Sequence, residues 1–168
     1  MATETPELIV KIAGRRWRVG TQGHDLSIPL DFDAPQPTFF GAARAAATTV
    51  TAGSFVGDVR RGGSCNCSTH TLTPHCNGTH TECVGHVTAE RLSVRDLSGE
   101  HFNPARLVSV ASAPQITRAA LASAVGPHEM RYYRALVVRT LPNTRDKLQR
   151  NYDRAPAPYF AADAMRWI

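Results

Sequence analysis

Residues 74–86 read PHCNGTHTECVGH: Pro74-His75-Cys76-Asn77-Gly78-Thr79-His80-Thr81-Glu82-Cys83-Val84-Gly85-His86. Three histidines, two cysteines, a carboxylate and a carboxamide fall within thirteen residues. The stretch is therefore either a polar turn that happens to be rich in His or a place where chemistry is done. Thr79, Thr81 and Val84 are β-branched and favour an extended chain, while Gly78 and Gly85 disfavour a helix. On a strand, residues two apart share a face. Cys76, Gly78, His80 and Glu82 then line one side, and His75, Asn77, Thr79, Thr81 and Cys83 the other. The first side carries a thiolate, an imidazole and a carboxylate, all accepted zinc ligands, with a glycine leaving space between the first two. A helix would instead pair Cys76 with His80 and Glu82 with His86 at i,i+4. The two glycines weigh against it. A lone histidine is most often a partly buried, hydrogen-bonded side chain. A His-x-Glu pair with a Cys on its face and a further His four residues on reads better as a metal-binding edge.

Outward from this stretch, the chain alternates short apolar runs with turn signals. Leu8-Ile9-Val10-Lys11-Ile12 and Arg16-Trp17-Arg18-Val19 flank Ala13-Gly14 and predict a hairpin. Asp25-Leu26-Ser27-Ile28-Pro29-Leu30 reads as a third strand, followed by a loop containing Pro35 and Pro37 that leads to Phe39-Phe40. Ala42 to Ala47 reads as a small helix or a packed turn, 48–56 as a strand and Arg60-Arg61-Gly62-Gly63 as a turn. Ser68 to Thr73 is β-like and runs into the opening stretch. Leu107-Val108-Ser109-Val110 and residues 134–139 are core-strand candidates. Residues 116–125 have helical spacing, ended by Gly126-Pro127. The run from Ala161 to Ile168 looks helical. Strands outnumber helices and the two mix, so the expected class is α/β (α+β), one domain over residues 1–168.

Composition bounds the rest. At 168 residues the chain can bury one ordinary core. A hydrophobic content of 42% with 20% charged residues is globular rather than disordered or fibrous. Nothing has the length of a membrane span, and the acidic start Thr3-Glu4-Thr5-Pro6-Glu7 is unlike a signal peptide, so the cytoplasm is the expected compartment and the four cysteines are expected reduced. The net charge of +5 comes from 17 Arg and two Lys, scattered singly or in pairs with few aromatics among them. That pattern argues against a nucleic-acid partner and for a solvated basic surface or an anionic small substrate.

The residues Gly78-Thr79-His80-Thr81-Glu82-Cys83-Val84-Gly85-His86 resemble the signature of the metal-dependent cyclase and kynurenine formamidase family, His-x-Gly-Thr-His-x-Asp-x-Pro-x-His. Asp25-Leu26-Ser27 resembles the Asp-(Leu/Ile)-Ser strand that opens that family's core. The resemblance runs from about residue 24 to the end of the chain. It implies a swivelling β/β/α fold with a mixed sheet, assembled into a homo-oligomer, and a hydrolase acting on a non-peptide C–N bond of a small amide. By the same resemblance, Cys76, His80 and Glu82 are the metal ligands, His86 the catalytic acid/base, and Phe39 or Phe40 an aromatic wall against the substrate. His86 would take a proton from a metal-activated water and hand it to the leaving nitrogen.

Three positions depart from the family pattern. Glu82 stands where the family has Asp, which moves the carboxylate outward by a methylene. Cys76 stands where it has His, which softens the site and favours zinc, with manganese the alternative. His75 has the wrong strand parity to replace Cys76. Val84 stands where the family has Pro. The family draws a further His and Glu from its C-terminal part, and the expectation from this chain's end on Trp167-Ile168 is that it lacks that part. Weaker candidates are Arg60 or Arg61 for a substrate carboxylate, and a structural metal on Cys65, Cys67 and Cys83 near His70, for which buried thiols are the plainer reading. His24, His101 and His128 are expected at the surface or hydrogen-bonded. A non-catalytic zinc-binding module on the same scaffold, and a cyclase or lyase, are the competing functions.

Overall fold

A computed structural model describes residues 8–97, 99, 102–127, 130–155 and 157–168. His101 and His128 lie outside these residues. In chain order the strands are β1 (Leu8–Ile12), β2 (Arg15–Val19), β3 (Ala46–Thr49), β4 (Thr51–Ala52), β5 (Phe55–Val56), β6 (Ser68–Thr71), β7 (Ala105–Ala111), β8 (Gln115–Ile116), β9 (Ala135–Leu141) and β10 (Tyr159–Phe160). The helices are α1 (Pro74–Asn77), α2 (Val94–Leu97), α3 (Arg118–Val125) and α4 (Ala162–Trp167). The class is α/β, as expected. Parallel and antiparallel pairing both occur, but among the described residues they are distributed over two-stranded sheets instead of one mixed sheet.

Two compact units divide the chain. The first takes the residues up to Leu26, Glu82–Asn143 and Pro158–Ile168. Its centre is the parallel pair β7–β9, in which Val108 faces Val138 and Val110 faces Thr140. Parallel neighbours need a crossover between them, and α3 lies in that connection. The helix begins where the Thr117 hydroxyl accepts the Ala120 N–H at 3.2 Å and ends at Gly126, whose φ of +66° is a left-handed conformation suited to glycine. Val110, Ile116, Leu121 and Ala164 form the buried cluster, with Leu136, Val138, Ala161 and Trp167 packed on it. The final run is thus the helix α4, and its small Ala164 lets it sit close in the core. The β1–β2 hairpin also forms as expected. Ile12 pairs with Arg15 across Ala13 (φ +51°) and Gly14 (φ +77°), the two positive angles of a tight hairpin turn.

The second unit comprises Ser27–Thr81 and Thr144–Ala157. Here β3 pairs with β6 and β4 with β5, both antiparallel. The Val50 N–H reaches Cys67 O (3.0 Å), the Gly57 N–H reaches Val50 O (2.9 Å) and the Cys67 N–H reaches Gly57 O (3.0 Å), so the backbone is stitched across the two pairs. Glycine is required at 57, where a Cβ would lie 2.4 Å from Cys67 O. Gln36, nearly buried, ties a loop to β3's approach: its Nε2 donates to Asp31 O and Ala45 O, and its Oε1 accepts the Ala45 N–H.

Three local expectations are corrected. Residues 25–30 form no strand: Pro29 has no N–H to give a ladder, and the Ile28 N–H is taken by the Thr79 hydroxyl at 2.8 Å. Residues 42–47 form no helix, because a turn closes earlier, from Ala42 N–H to Phe39 O, and β3 starts at Ala46. The stretch 74–86 is not a strand, for reasons given below.

Leu121 is fully buried in the first unit's core. Leu121→Ala should lower stability by about 2–5 kcal/mol and Thr117→Ala by about 1 kcal/mol, both read from urea denaturation. Equal, sub-kcal effects for the two would show that α3 does not organise this core.

Candidate metal centre

The donor-rich stretch begins as one turn of helix. Pro74 occupies the first helical position, where an N–H has no intrahelical partner and a fixed φ suits the turn. The Cys76 and Asn77 N–H groups both donate to Thr73 O, at 2.9 and 3.0 Å. The Asn77 side chain locks the turn. It is 1% exposed, accepts the Thr73 N–H at 2.7 Å and donates to Ala43 O at 3.0 Å. Pro74 and the buried Asn77 prevail locally over the β-branched threonines that follow, which corrects the strand reading. Successive residues on a helix are turned by about 100°, so the parity argument that set His75 aside in favour of Cys76 does not apply to this backbone.

After α1 the chain extends through Gly78, and Thr79 is held by the Ile28 N–H. His80 Nδ1 lies 3.0 Å from Gly78 O, and its Nε2 lies 3.0 Å from His75 Nδ1. The rings meet edge-on, centroids 4.7 Å apart at 90°. A carbonyl only accepts, so His80 Nδ1 carries the proton and donates. His80 Nε2 then accepts from His75 Nδ1–H, and in the neutral pair the other lone pair sits on His75 Nε2. An imidazole anchored through one nitrogen to a backbone carbonyl is the usual arrangement of a ligating histidine, because that bond fixes both tautomer and ring plane.

In the first unit, Glu82 and His86 flank a second short turn. Val84–His86 is a 3-10 turn, and the His86 N–H donates to Cys83 O at 2.9 Å. It brings His86 Nε2 to 4.0 Å from Glu82 Oε2, with each side chain about half exposed at 48% and 51%. The turn is held down by Cys83, whose thiol donates to Leu92 O at 3.4 Å, and by Gly85, where a Cβ would stand 2.2 Å from the same carbonyl. Val84 is the first residue of this turn, which explains why the family signature can carry Pro there: that position needs no N–H.

His75, Glu82 and His86 are exposed donors of the kind that hold a metal ion. His80 is exposed as well, and Cys76 is half-buried on α1. Imidazole and carboxylate donors fit zinc or manganese. Sequence reasoning set His75 aside. Thr73-Pro74, a helix-start signal just before it, was the cue that could have kept it.

Elsewhere the structure assigns other duties to several candidates. Arg60 is engaged as a fork on Asp58, with Nε 3.0 Å from Oδ1 and an Nη 3.0 Å from Oδ2. Those side-chain bonds hold the Asp58 carboxyl below the usual range. His70 Nε2 lies 3.1 Å from the Ser68 hydroxyl, and its ring stacks on Phe32 at 4.4 Å. Cys65 and Cys67 are exposed free thiols rather than core fillers. His24 is exposed, as expected. Phe39 is half-buried and Phe40 exposed in the second unit.

The family model described as "Putative cyclase" matches residues 24–168. The chain belongs to that family of enzymes, and the signature at 78–86 lies within the matched range. Comparison with curated proteins and with solved structures found no match. No helix among the described residues is long and apolar enough to cross a membrane.

Two substitutions test the second turn. Val84→Pro should be tolerated and raise stability by about 0.4–1 kcal/mol, since it restricts the unfolded chain at a position where the native backbone suits proline. Gly85→Ala should destabilise by about 1–3 kcal/mol, because the new Cβ must push Leu92 O away. Thermal unfolding of the two variants checks both signs.

Proposed function

We propose that this chain is a metal-dependent hydrolase of a non-peptide C–N bond in a small amide. The observation that carries the reading is His80, poised with Nδ1 on a backbone carbonyl and Nε2 turned to a second imidazole. His80 and Glu82 are the proposed ligands, with a third from α1. The signature assigns that third place to Cys76, whereas the imidazole beside His80 is His75, and we take His75. A divalent ion bound there, zinc or manganese, supplies Lewis acidity toward an amide carbonyl and lowers the pKa of water.

The remaining roles belong to the chain itself. His86 accepts a proton at Nε2 and returns it to the leaving nitrogen, and that nitrogen lies 4.0 Å from Glu82 Oε2. Phe39 and Phe40 supply an aromatic wall. The partners in this reading are a small amide and further copies of the chain, in the cytoplasm. The family's description favours a second reading, ring closure or opening, in which amine and carbonyl belong to one molecule and the same groups serve. A non-catalytic metal-binding module is the rival.

Elemental analysis of protein purified without chelators should find zinc or manganese, and a panel of linear and cyclic amides should find turnover. His86→Ala should lose about 10²–10⁴-fold in kcat. Metal without His86-dependent turnover contradicts the enzyme reading, and absence of metal under zinc-retaining conditions contradicts the rival too. Retention of metal by His75→Ala with loss in Cys76→Ala would return the third ligand to Cys76.

A further inference from the structure

The β1–β2 hairpin precedes residue 24, where the family match begins, and its two faces differ. Side chains alternate along a strand, and the register sets Val10 opposite Trp17 and Ile12 opposite Arg15. Val10, Ile12, Trp17 and Val19 are half-buried, whereas Ile9, Lys11, Arg16 and Arg18 are exposed. The half-buried side, together with Phe102 and Pro104 on the approach to β7, lines a cavity of about 220 Å³. An apolar cavity of about 150 Å³ already holds benzene, so this one has room for a single substituted ring. The Arg134 N–H donates to Pro104 O and the Tyr133 N–H to Met130 O, both at 2.8 Å, which ties the turn Met130–Tyr132 to the cavity wall. Tyr133 meets the Trp17 ring edge-on, centroids 5.6 Å apart at 61°.

Arg15 shares Trp17's side of β2. Its guanidinium lies over two rings, 5.2 Å from the Trp17 centroid and 5.0 Å from that of Tyr132. Both lie within the roughly 6 Å reach of cation–π attraction. A guanidinium held through its face keeps the N–H donors of its edge unspent. Among the described residues no hydrogen bond or ion pair takes them. Arg60 and Arg150 differ, since each is committed to an aspartate, Asp58 and Asp146. A second guanidinium, that of Arg131, lies 4.8 Å from the Tyr132 ring; it has further interactions of its own and so adds charge rather than a free fork. Acceptors are what the first unit lacks. The buried side-chain nitrogens without a partner among the described residues are Trp17 Nε1 and Arg106 Nε, both donors.

We propose that the hairpin carries a binding site for a small phosphate monoester with an apolar body. The edge of the Arg15 guanidinium takes two phosphate oxygens, a bidentate pairing that suits a planar fork. The apolar body enters the cavity against Trp17. A carboxylate also fits a fork, but two guanidiniums gathered at one ring repel each other, and a dianion offsets that repulsion better than a monoanion. A phosphate monoester carries about −1.5 to −2 charges at neutral pH. No residue of the candidate metal centre takes part.

The test titrates phenyl phosphate, inorganic phosphate and benzoate into the full chain as purified, by calorimetry and by 1H–15N NMR of its two indoles, Trp17 and Trp167. The wild-type chain should bind phenyl phosphate about tenfold more tightly than inorganic phosphate, which lacks the ring, and than benzoate, which carries a single charge. The Trp17 indole signal should move with phenyl phosphate and the Trp167 signal should stay. Arg15→Ala should weaken phenyl phosphate by about 10–100-fold. Arg15→Lys keeps the charge without the planar fork and should recover only part of that loss. Arg15 is exposed, so neither variant disturbs the core. Phenyl phosphate bound equally well by Arg15→Ala overturns the proposal, as does a wild-type chain that shows no saturable binding. Benzoate or inorganic phosphate bound as tightly as phenyl phosphate overturns it too, and so does binding that leaves the Trp17 signal unmoved.

Discussion

The buried carboxamide of Asn77 is the constraint on which the candidate centre depends. One side chain satisfies a donor at the start of its own helical turn and an acceptor on a distant segment, Thr73 N–H and Ala43 O. Leaving either group unpaired in a buried place costs about 1–3 kcal/mol, so the turn ends where Asn77 makes it end. Gly78 then leaves in an extended conformation, and its carbonyl is directed at His80 Nδ1. The orientation of both histidines follows from where that turn stops.

A chain of proton positions runs through this part of the molecule. The Gly78 carbonyl requires a proton on His80 Nδ1, which requires a lone pair on His80 Nε2, which draws the proton of His75 to Nδ1. If His80 Nε2 held a metal ion, the lone pair that now accepts from His75 Nδ1–H would be taken, since a ligating imidazole must offer a free lone pair at the coordinating nitrogen. Glu82 and His86, four residues apart on a separate turn, form the complementary pair of carboxylate and imidazole.

Much of this was legible in the sequence where the forces are local. The hairpin around Ala13-Gly14, the valine-rich pair β7–β9 and the Thr117-to-Gly126 helix each carry their own start, stop and periodicity. The stretch 74–86 was harder because its signals conflict. Thr79 and Thr81 argue for extension, Pro74 for a helix start, and the decision falls to Asn77, whose partner Ala43 lies 34 residues away. Asp25 to Leu30 has strand composition, yet the Thr79 hydroxyl takes the N–H that a ladder would need. The Phe39–Phe40 turn is the extreme case. Phe40 has a φ of +55°, which nothing near it predicts, and the carboxylate that accepts the next N–H, that of Asp153, is 112 residues from Gly41. The signature was readable as a metal motif, whereas the setting of His75 beside His80 depends on backbone that only the folded chain supplies.

The central claim is that His80 is a metal ligand held in a defined tautomer by Gly78. Long-range 1H–15N NMR of the imidazoles during zinc titration tests it most directly. The account predicts an Nδ1–H tautomer for His80 in the metal-free chain and a zinc-dependent shift at its Nε2, accompanied by a change at His75 Nδ1. An Nε2–H tautomer, or His80 nitrogens unmoved by saturating zinc, would contradict it.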